Sequence, residues 1–335
     1  MLKTFQTGFL NVGRQAFKLK ERTLEQLAWK NYYTARAYYH YKLRRSDNRY
    51  HKKPPLIVHQ MGKVGSSSVT RSLRAAKIDR HIYHTHFLRP ALIDKFEKQR
   101  RNHLGTGREG GLKHIWQYQH LSKQLKRGLK GRRWKIITLV RDPIARNLSD
   151  FFEHLELLPV APGQPLKVRS EAHNYELTID NNNLEGLVEL FFDRYDHDTP
   201  LTFFDQEFKG VFKIDLFASD FPTSKGYQVY REKEVDLLLI RLENLNTCFS
   251  EAVKAFLNID NLPLIQANTS AKKDFATLYQ MFKDTIHFPE SYLEKMYSSR
   301  FARHFYSDLE RAQFKVKWSG NSRTGIKTLF VKDIM

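Results

Sequence analysis

The sequence predicts an α/β fold in which a central parallel β-sheet is flanked by helices. Three short apolar runs indicate buried strands, and each is followed by a stretch with helical periodicity. These runs are Pro55–Val58, Trp134–Val140 and Val235–Leu242. Strands that alternate with helices are typical of parallel sheets that are covered on both faces.

Two weaker strands are predicted at Arg80–His86 and Tyr227–Arg231. One helix is predicted to begin near Ser66, and others over residues 90–102, 115–129, 184–195, 202–211, 249–257, 275–286 and 300–314. The polar stretch from Pro159 to Asn183 predicts a long loop of the kind that often forms a lid or a substrate-binding wall.

Composition limits the function without choosing it. The chain has 335 residues, of which 41% are apolar, so it can bury a sizeable core. A formal net charge of +20 indicates an anionic partner, which could be a nucleotide, an acidic glycan, a membrane surface or a nucleic acid. The single cysteine, Cys248, is typical of a reducing compartment, and no apolar run approaches the length of a membrane span. We therefore expect a cytoplasmic protein.

The segment 1–53 is predicted to be a basic helical extension, followed by an α/β domain over residues 54–318 and a C-terminal tail over residues 319–335. Apolar and aromatic residues recur at helical spacing between Leu24 and Tyr39, and lysines and arginines far outnumber acids. Such a helix could dock on an anionic membrane as a peripheral contact. Alternatively, the helix packs on the rest of the protein and leaves its charged side in solvent. We favour this second interpretation.

A glycine-containing loop between the first strand and the first helix of the α/β domain is the strongest candidate for an anion-binding site. The first N–H groups of a helix lack internal partners and lie at the positive end of its dipole, so they attract anions. Glycines let the backbone approach a phosphate, serine hydroxyls can donate to it, and a lysine adds charge. The residues are Gly62, Lys63, Gly65, Ser66, Ser67 and Ser68.

A second candidate lies where the strand Trp134–Val140 ends. Asp142 and Pro143 predict a helix start, because aspartate caps free N–H groups and proline suits the first helical position. Arg141 would then lie at the carboxyl end of a central strand, where open α/β sheets bind ligands, with Ser149 two turns into the helix. These two side chains could hold a second phosphate. Alternatively, Arg141 pairs with Asp142 or Asp150.

Together these stretches resemble the sulfotransferases that use 3′-phosphoadenosine 5′-phosphosulfate (PAPS). Lys-x-Gly-Ser-Ser at Lys63–Ser67 is similar to their 5′-phosphosulfate loop, and Arg-Asp-Pro-x-x-Arg-x-x-Ser at Arg141–Ser149 to their 3′-phosphate element. Ile240-Arg-Leu-Glu-Asn-Leu245 is a third, weaker match. The resemblance is greatest to carbohydrate sulfotransferases and to bacterial proteins described as capsular polysaccharide synthesis proteins. It implies a P-loop-like sheet.

The resemblance implies transfer of a sulfuryl group from PAPS to a hydroxyl of a saccharide or similar acceptor. Lys63 would stabilise the charge that develops on the leaving phosphate, and no metal is expected. His84 and His86 alternate on one face of the predicted second strand, and one of them would be the base, with His114 or Glu109 as alternatives.

Two other functions remain open at this point. A nucleotide-dependent phosphotransferase is disfavoured because the sequence has no Gly-Lys-Ser/Thr loop. A non-catalytic nucleotide-binding protein of polysaccharide assembly is disfavoured by the intact Lys63. Specific nucleic-acid binding is not expected, because no readout motif is recognisable.

Overall fold

The computed structural model describes residues 31–49, 53–104, 109–128, 133–154, 181–267 and 276–320. The first 30 residues, most of the predicted loop after Pro159 and the tail beyond Gly320 lie outside the described residues. The predicted limits at residues 53 and 318 therefore stay predictions.

The α/β fold class is confirmed. A mostly parallel, five-stranded sheet has the strand order β2-β1-β3-β5-β4. The strands are β1 (Leu56–His59), β2 (Ile82–Thr85), β3 (Trp134–Val140), β4 (Tyr227–Arg231) and β5 (Val235–Arg241). β4 and β5 pair antiparallel, with Tyr227 opposite Ile240. Every residue of β1 and β5 is buried, as their nearly continuous apolar runs predict.

The chain divides into two compact units. The first comprises the described residues of 1–56 and 79–134, and the second those of 57–78 and 135–335. In the first unit, the helices are α1 (Tyr32–Arg49), α3 (Pro90–Leu104) and α4 (Lys113–Arg127), with a short 3₁₀ turn at Glu109–Leu112. β2 belongs to this unit.

Helix α1 packs within the first unit over residues 32–49. Ala35 and Leu43 are buried. The carboxylate of Glu97 on α3 accepts hydrogen bonds from the Tyr32 hydroxyl, from Trp116 Nε1 at 3.1 Å and from Gln119 Nε2 at 2.7 Å. One carboxylate thus joins three helices.

Asp47, near the end of α1, provides the second anchor of that helix. Its carboxylate lies 2.9 Å from His81 Nδ1 and 2.6 Å from His120 Nε2, and it accepts hydrogen bonds from the Tyr83 hydroxyl and from Gln124. Burial opposes ionisation of Asp47, but these hydrogen bonds outweigh it and hold the pKa of the carboxyl well below its usual range.

The second unit contains the remaining helices. They are α2 (Ser66–Ala75), α5 (Pro143–Glu153), α6 (Asn181–Arg194), α7 (Thr199–Phe203), α8 (Leu245–Leu257), α9 (Ala276–Thr285), α10 (Glu290–Tyr297), α11 (Arg300–Phe305) and α12 (Asp308–Trp318). A π-helical stretch, Phe204–Phe212, continues α7. An apolar core rich in phenylalanine and tyrosine joins α5 and α6 to α9 and α10.

Two C-terminal elements differ from the prediction. The single helix predicted over residues 300–314 is two helices, because Ser307 caps α12 through a reciprocal capping box with Glu310. Helix α10 begins directly after Pro289, and its start was not predicted from the sequence.

Asp47→Asn should destabilise the protein by roughly 2–3 kcal/mol, because the substitution removes a charge that several buried donors share. Since the folded-state pKa of Asp47 is depressed, this stabilisation is present above the unfolded pKa near ~3.9 and is lost as the pH falls. Urea denaturation at neutral pH and below about pH 4 measures both effects.

The control is Asp79→Asn, whose carboxylate is 73% exposed in its pair with Lys53 and should contribute less than about 1 kcal/mol. Equal, small effects of the two substitutions would contradict the anchoring role of Asp47.

Candidate functional site

The loop between β1 and α2, in the second unit, has a tightly constrained backbone. Lys63 and Gly65 have positive φ angles of 69° and 88°. A Cβ atom at Gly65 would lie 2.5 Å from Leu242 Cδ1, so a side chain there would have to displace that leucine and would adopt a strained φ. Gly65 is the N-cap of α2. The loop therefore reaches the helix through a turn that favours glycine.

Two arginines from β3 and α5 bind consecutive carbonyl groups of this loop. Arg141 NH1 donates to the carbonyl of Lys63 at 3.0 Å, and Arg146 Nε donates to the carbonyl of Gly62 at 3.1 Å. No peptide bond among the described residues is cis, so the N–H of each following residue points opposite to the carbonyl. The amides of Lys63 and Val64 consequently point away from the guanidinium groups.

Arg141 thus has a partner that the sequence did not indicate. Among the described residues, Arg141 forms no ion pair with the alternative partners Asp142 and Asp150. Asp150 pairs instead with Arg146, whose NH2 lies 3.2 Å from Asp150 Oδ2. The side chain of Arg141 is half-buried, and that of Ser149 is also half-buried, two turns into α5. Their predicted role in binding a phosphate stays a prediction.

Arg146 contacts the candidate loop directly, and the sequence analysis gave it no role of its own. Its side chain is only 4% exposed, and its NH1 donates to the Tyr195 hydroxyl at 2.8 Å and to Asn147 Oδ1 at 3.0 Å. Burial opposes ionisation of Asp150, but Arg146, followed by hydrogen bonding with His154 and Tyr195, holds the pKa of that carboxyl well below its usual range. The signal was the second arginine of Arg-Asp-Pro-x-x-Arg, whose spacing suits a reach back to the preceding loop.

The three serines at the start of α2 have different surroundings. Ser66 Oγ accepts a hydrogen bond from Gln60 Nε2 at 2.7 Å, which ties the loop across its own span. Ser68 Oγ accepts from the amide of Ala267 at 3.0 Å and is buried, so it anchors a distant segment of the same unit. Ser67 is half-exposed.

Lys63 forms an ion pair that the sequence did not predict. Its Nζ lies 3.0 Å from Glu153 Oε2 at the last residue of α5, and the side chains are 19% and 45% exposed. An anion bound at the N-terminus of α2 would compete with Glu153 for this ammonium group.

His84 and His86 belong to the first unit, whereas the loop belongs to the second. Their rings lie 5.1 Å apart, in keeping with their predicted position on one face, and both side chains are half-exposed. The backbone carbonyl of His84 accepts a hydrogen bond from Gln117 Nε2 at 2.8 Å. The assignment of either histidine as a base stays a prediction.

The third sequence match, at Ile240–Leu245, has structural roles. Arg241 is 1% exposed, pairs with Glu310 and lies over the ring of Tyr306, with 4.6 Å from its Cζ to the ring centroid. Glu243 accepts from the amide of Asp142 at 2.8 Å. Burial, ahead of the other influences, raises the pKa of the Glu243 carboxyl.

Asp142 caps α5 as predicted, because its side chain accepts from the amide of Ile144 at 3.1 Å. The same carboxylate also accepts from the Tyr297 hydroxyl at 2.8 Å and from Trp318 Nε1 at 2.9 Å. The helix that carries Arg146 and Ser149 is therefore fixed at its start by the C-terminal helices.

Within the described ranges, no group of three or more His, Cys, Asp or Glu side chains is placed to hold a metal ion. In the same ranges, no helix is long and apolar enough to cross a membrane.

Residues 176–307 match the family model described as "Putative capsular polysaccharide synthesis protein". This range is less than half of the chain; it contains Arg241 and Glu243 but neither the loop at Gly62–Ser68 nor the segment Arg141–Ser149. No curated protein and no solved structure matches the chain.

Gly65→Ala should destabilise the protein, because the positive φ at this position is unfavourable for alanine and the added methyl group would displace Leu242. We expect a loss of about 1–3 kcal/mol in thermal or urea unfolding.

The matched control is Gly186→Ala in α6, where nothing lies within 4 Å of the added Cβ. This variant should be neutral or more stable by up to about 1 kcal/mol. If both alanine variants behaved alike, the constraint at Gly65 would be disproved.

Proposed function

We propose that this protein transfers a sulfuryl group from PAPS to a hydroxyl of a saccharide or similar acceptor. One observation carries the proposal: Arg141 and Arg146 bind the carbonyls of Lys63 and Gly62, which turns the following amides away from the two guanidinium groups. The resemblance of this loop to the 5′-phosphosulfate loop of sulfotransferases supports a 5′-phosphosulfate as the anion bound there, and the resemblance of the segment Arg141–Ser149 supports a 3′-phosphate beside it.

The reaction breaks the bond between sulfur and the bridging oxygen of the 5′-phosphate and forms a bond between sulfur and the acceptor oxygen. Negative charge grows on the leaving phosphate. Lys63 would stabilise this charge after exchanging Glu153 for the phosphate, and the loop amides would add fixed dipoles. Ser66 and Ser67 would contribute hydroxyl donors.

Arg141 and Ser149 would bind the 3′-phosphate, which distinguishes PAPS from ordinary adenine nucleotides. Arg141 also holds the carbonyl of Lys63 at 3.0 Å. One guanidinium group would therefore link recognition of the 3′-phosphate to the conformation of the loop that carries the catalytic lysine.

The acceptor hydroxyl must lose a proton, and His84 or His86 is the proposed base. An imidazole with an unperturbed pKa near ~6.5 suits a base working around neutral pH. The polysaccharide-synthesis match over residues 176–307 supports a saccharide as acceptor, and a cytoplasmic location fits the nucleotide donor.

Arg141→Ala should weaken the binding of 3′-phosphoadenosine 5′-phosphate (PAP) roughly 10- to 100-fold and the binding of AMP much less. The reason is that a charge-assisted hydrogen bond to phosphate contributes about 1.5–3 kcal/mol. Isothermal titration calorimetry with both ligands measures this. The control is Arg74→Ala, an exposed arginine near the end of α2. Equal weakening of PAP and AMP would mean that Arg141 acts only through the loop.

Lys63→Ala should lower turnover by roughly 10²–10³ while changing the affinity for PAP less, because the ammonium group is needed most in the transition state. Transfer of radiolabelled sulfate from PAPS to a panel of saccharides provides the rate. Lys254→Ala, at a 63% exposed lysine, is the control. A defect confined to the Michaelis constant would refute the catalytic role.

A further inference from the structure

Helix α1 is divided into a packed half and an exposed half. At about 100° per residue, the buried residues Ala35 and Leu43 and the anchoring residue Asp47 fall on one side of the helix. The opposite side carries the exposed residues Tyr33, Thr34, Ala37, Tyr41, Lys42, Arg44, Arg45, Asn48 and Arg49. The helix is amphipathic in charge rather than in hydrophobicity.

The exposed half carries positive charge without an acidic neighbour on the same helix. Asp47 is the only acidic residue of α1, and its carboxylate is directed inward to His81, Tyr83 and His120. The outward side of residues 32–49 therefore carries basic residues and no acidic residue of the helix itself. Such a face is complementary to a surface of negative charge.

Two large aromatic side chains stand on this cationic face. Tyr33 and Tyr41 are 76% and 59% exposed. They are eight residues apart, so they lie about 12 Å apart along the axis and within roughly 80° around it. Both rings can therefore reach the same plane. Tyrosine favours the boundary between water and lipid, because its ring is apolar and its hydroxyl is polar.

We propose that the face of α1 formed by Tyr33, Tyr41, Arg44 and Arg45 binds the surface of an anionic lipid bilayer. The arginines attract acidic headgroups, and the tyrosine rings enter the headgroup region. An acidic polysaccharide or a nucleic acid would bind the arginines. A bilayer would also bind the two exposed tyrosine rings, which can enter one plane together. This proposal does not depend on the sulfotransferase activity.

The test uses the full chain with vesicles of phosphatidylcholine alone or with one third phosphatidylglycerol. Sedimentation should show binding to the anionic vesicles that weakens as salt is raised. Arg44→Gln/Arg45→Gln should weaken this binding about tenfold or more, since each basic residue near such a surface contributes on the order of 1 kcal/mol. Tyr33→Ser/Tyr41→Ser should weaken it while leaving its salt dependence intact.

The matched control is Arg74→Gln/Arg303→Gln, which removes two exposed arginines from the second unit. Its affinity for anionic vesicles should stay within about twofold of that of the wild type, and unchanged thermal unfolding verifies that each variant is folded. Equal losses in the two arginine pairs would overturn the proposal, because net charge alone would then explain binding. Absence of binding to the anionic vesicles would overturn it too.

Discussion

Arg141 and Arg146 bind two consecutive carbonyl groups, and the conformation of the candidate site depends on these bonds. A loop between a strand and a helix has many accessible conformations, and only some of them direct its amides toward a ligand. With the carbonyls of Gly62 and Lys63 held at 3.1 and 3.0 Å, the following amides are turned the other way. Pre-orientation of this kind lowers the reorganisation that ligand binding would otherwise require.

The arginines are fixed in turn by a buried polar network. Asp142 caps the helix that carries Arg146, and it receives hydrogen bonds from Tyr297 and Trp318 near the C-terminal end of the described chain. Glu243 binds the amide of Asp142. The region that matches the polysaccharide-synthesis family therefore supports the loop and the strand end without containing them.

Local patterns in the sequence predicted local structure well. The mostly apolar run of β3 and the cap at Asp142 both follow from neighbouring residues, and both are confirmed. The bond from Arg146 to Gly62 and the ion pair of Lys63 with Glu153 join residues more than eighty positions apart. Hydrophobic periodicity does not record such contacts, and only the second arginine of Arg-Asp-Pro-x-x-Arg gave a signal for the first of them. The Ser-x-x-Glu pattern at Ser307 and Glu310 is typical of a capping box and would have indicated the break between the two helices. The apolar residues on both sides favoured a single helix instead.

The most direct test is a crystal structure of the protein with PAP. We expect the 5′-phosphate to accept hydrogen bonds from the amides of Lys63 and Val64, with Lys63 Nζ released from Glu153 and directed to that phosphate. The 3′-phosphate should contact Arg141. A nucleotide bound elsewhere, or one bound at the loop while Lys63 remains paired with Glu153 and the 3′-phosphate lies in solvent, would contradict the account.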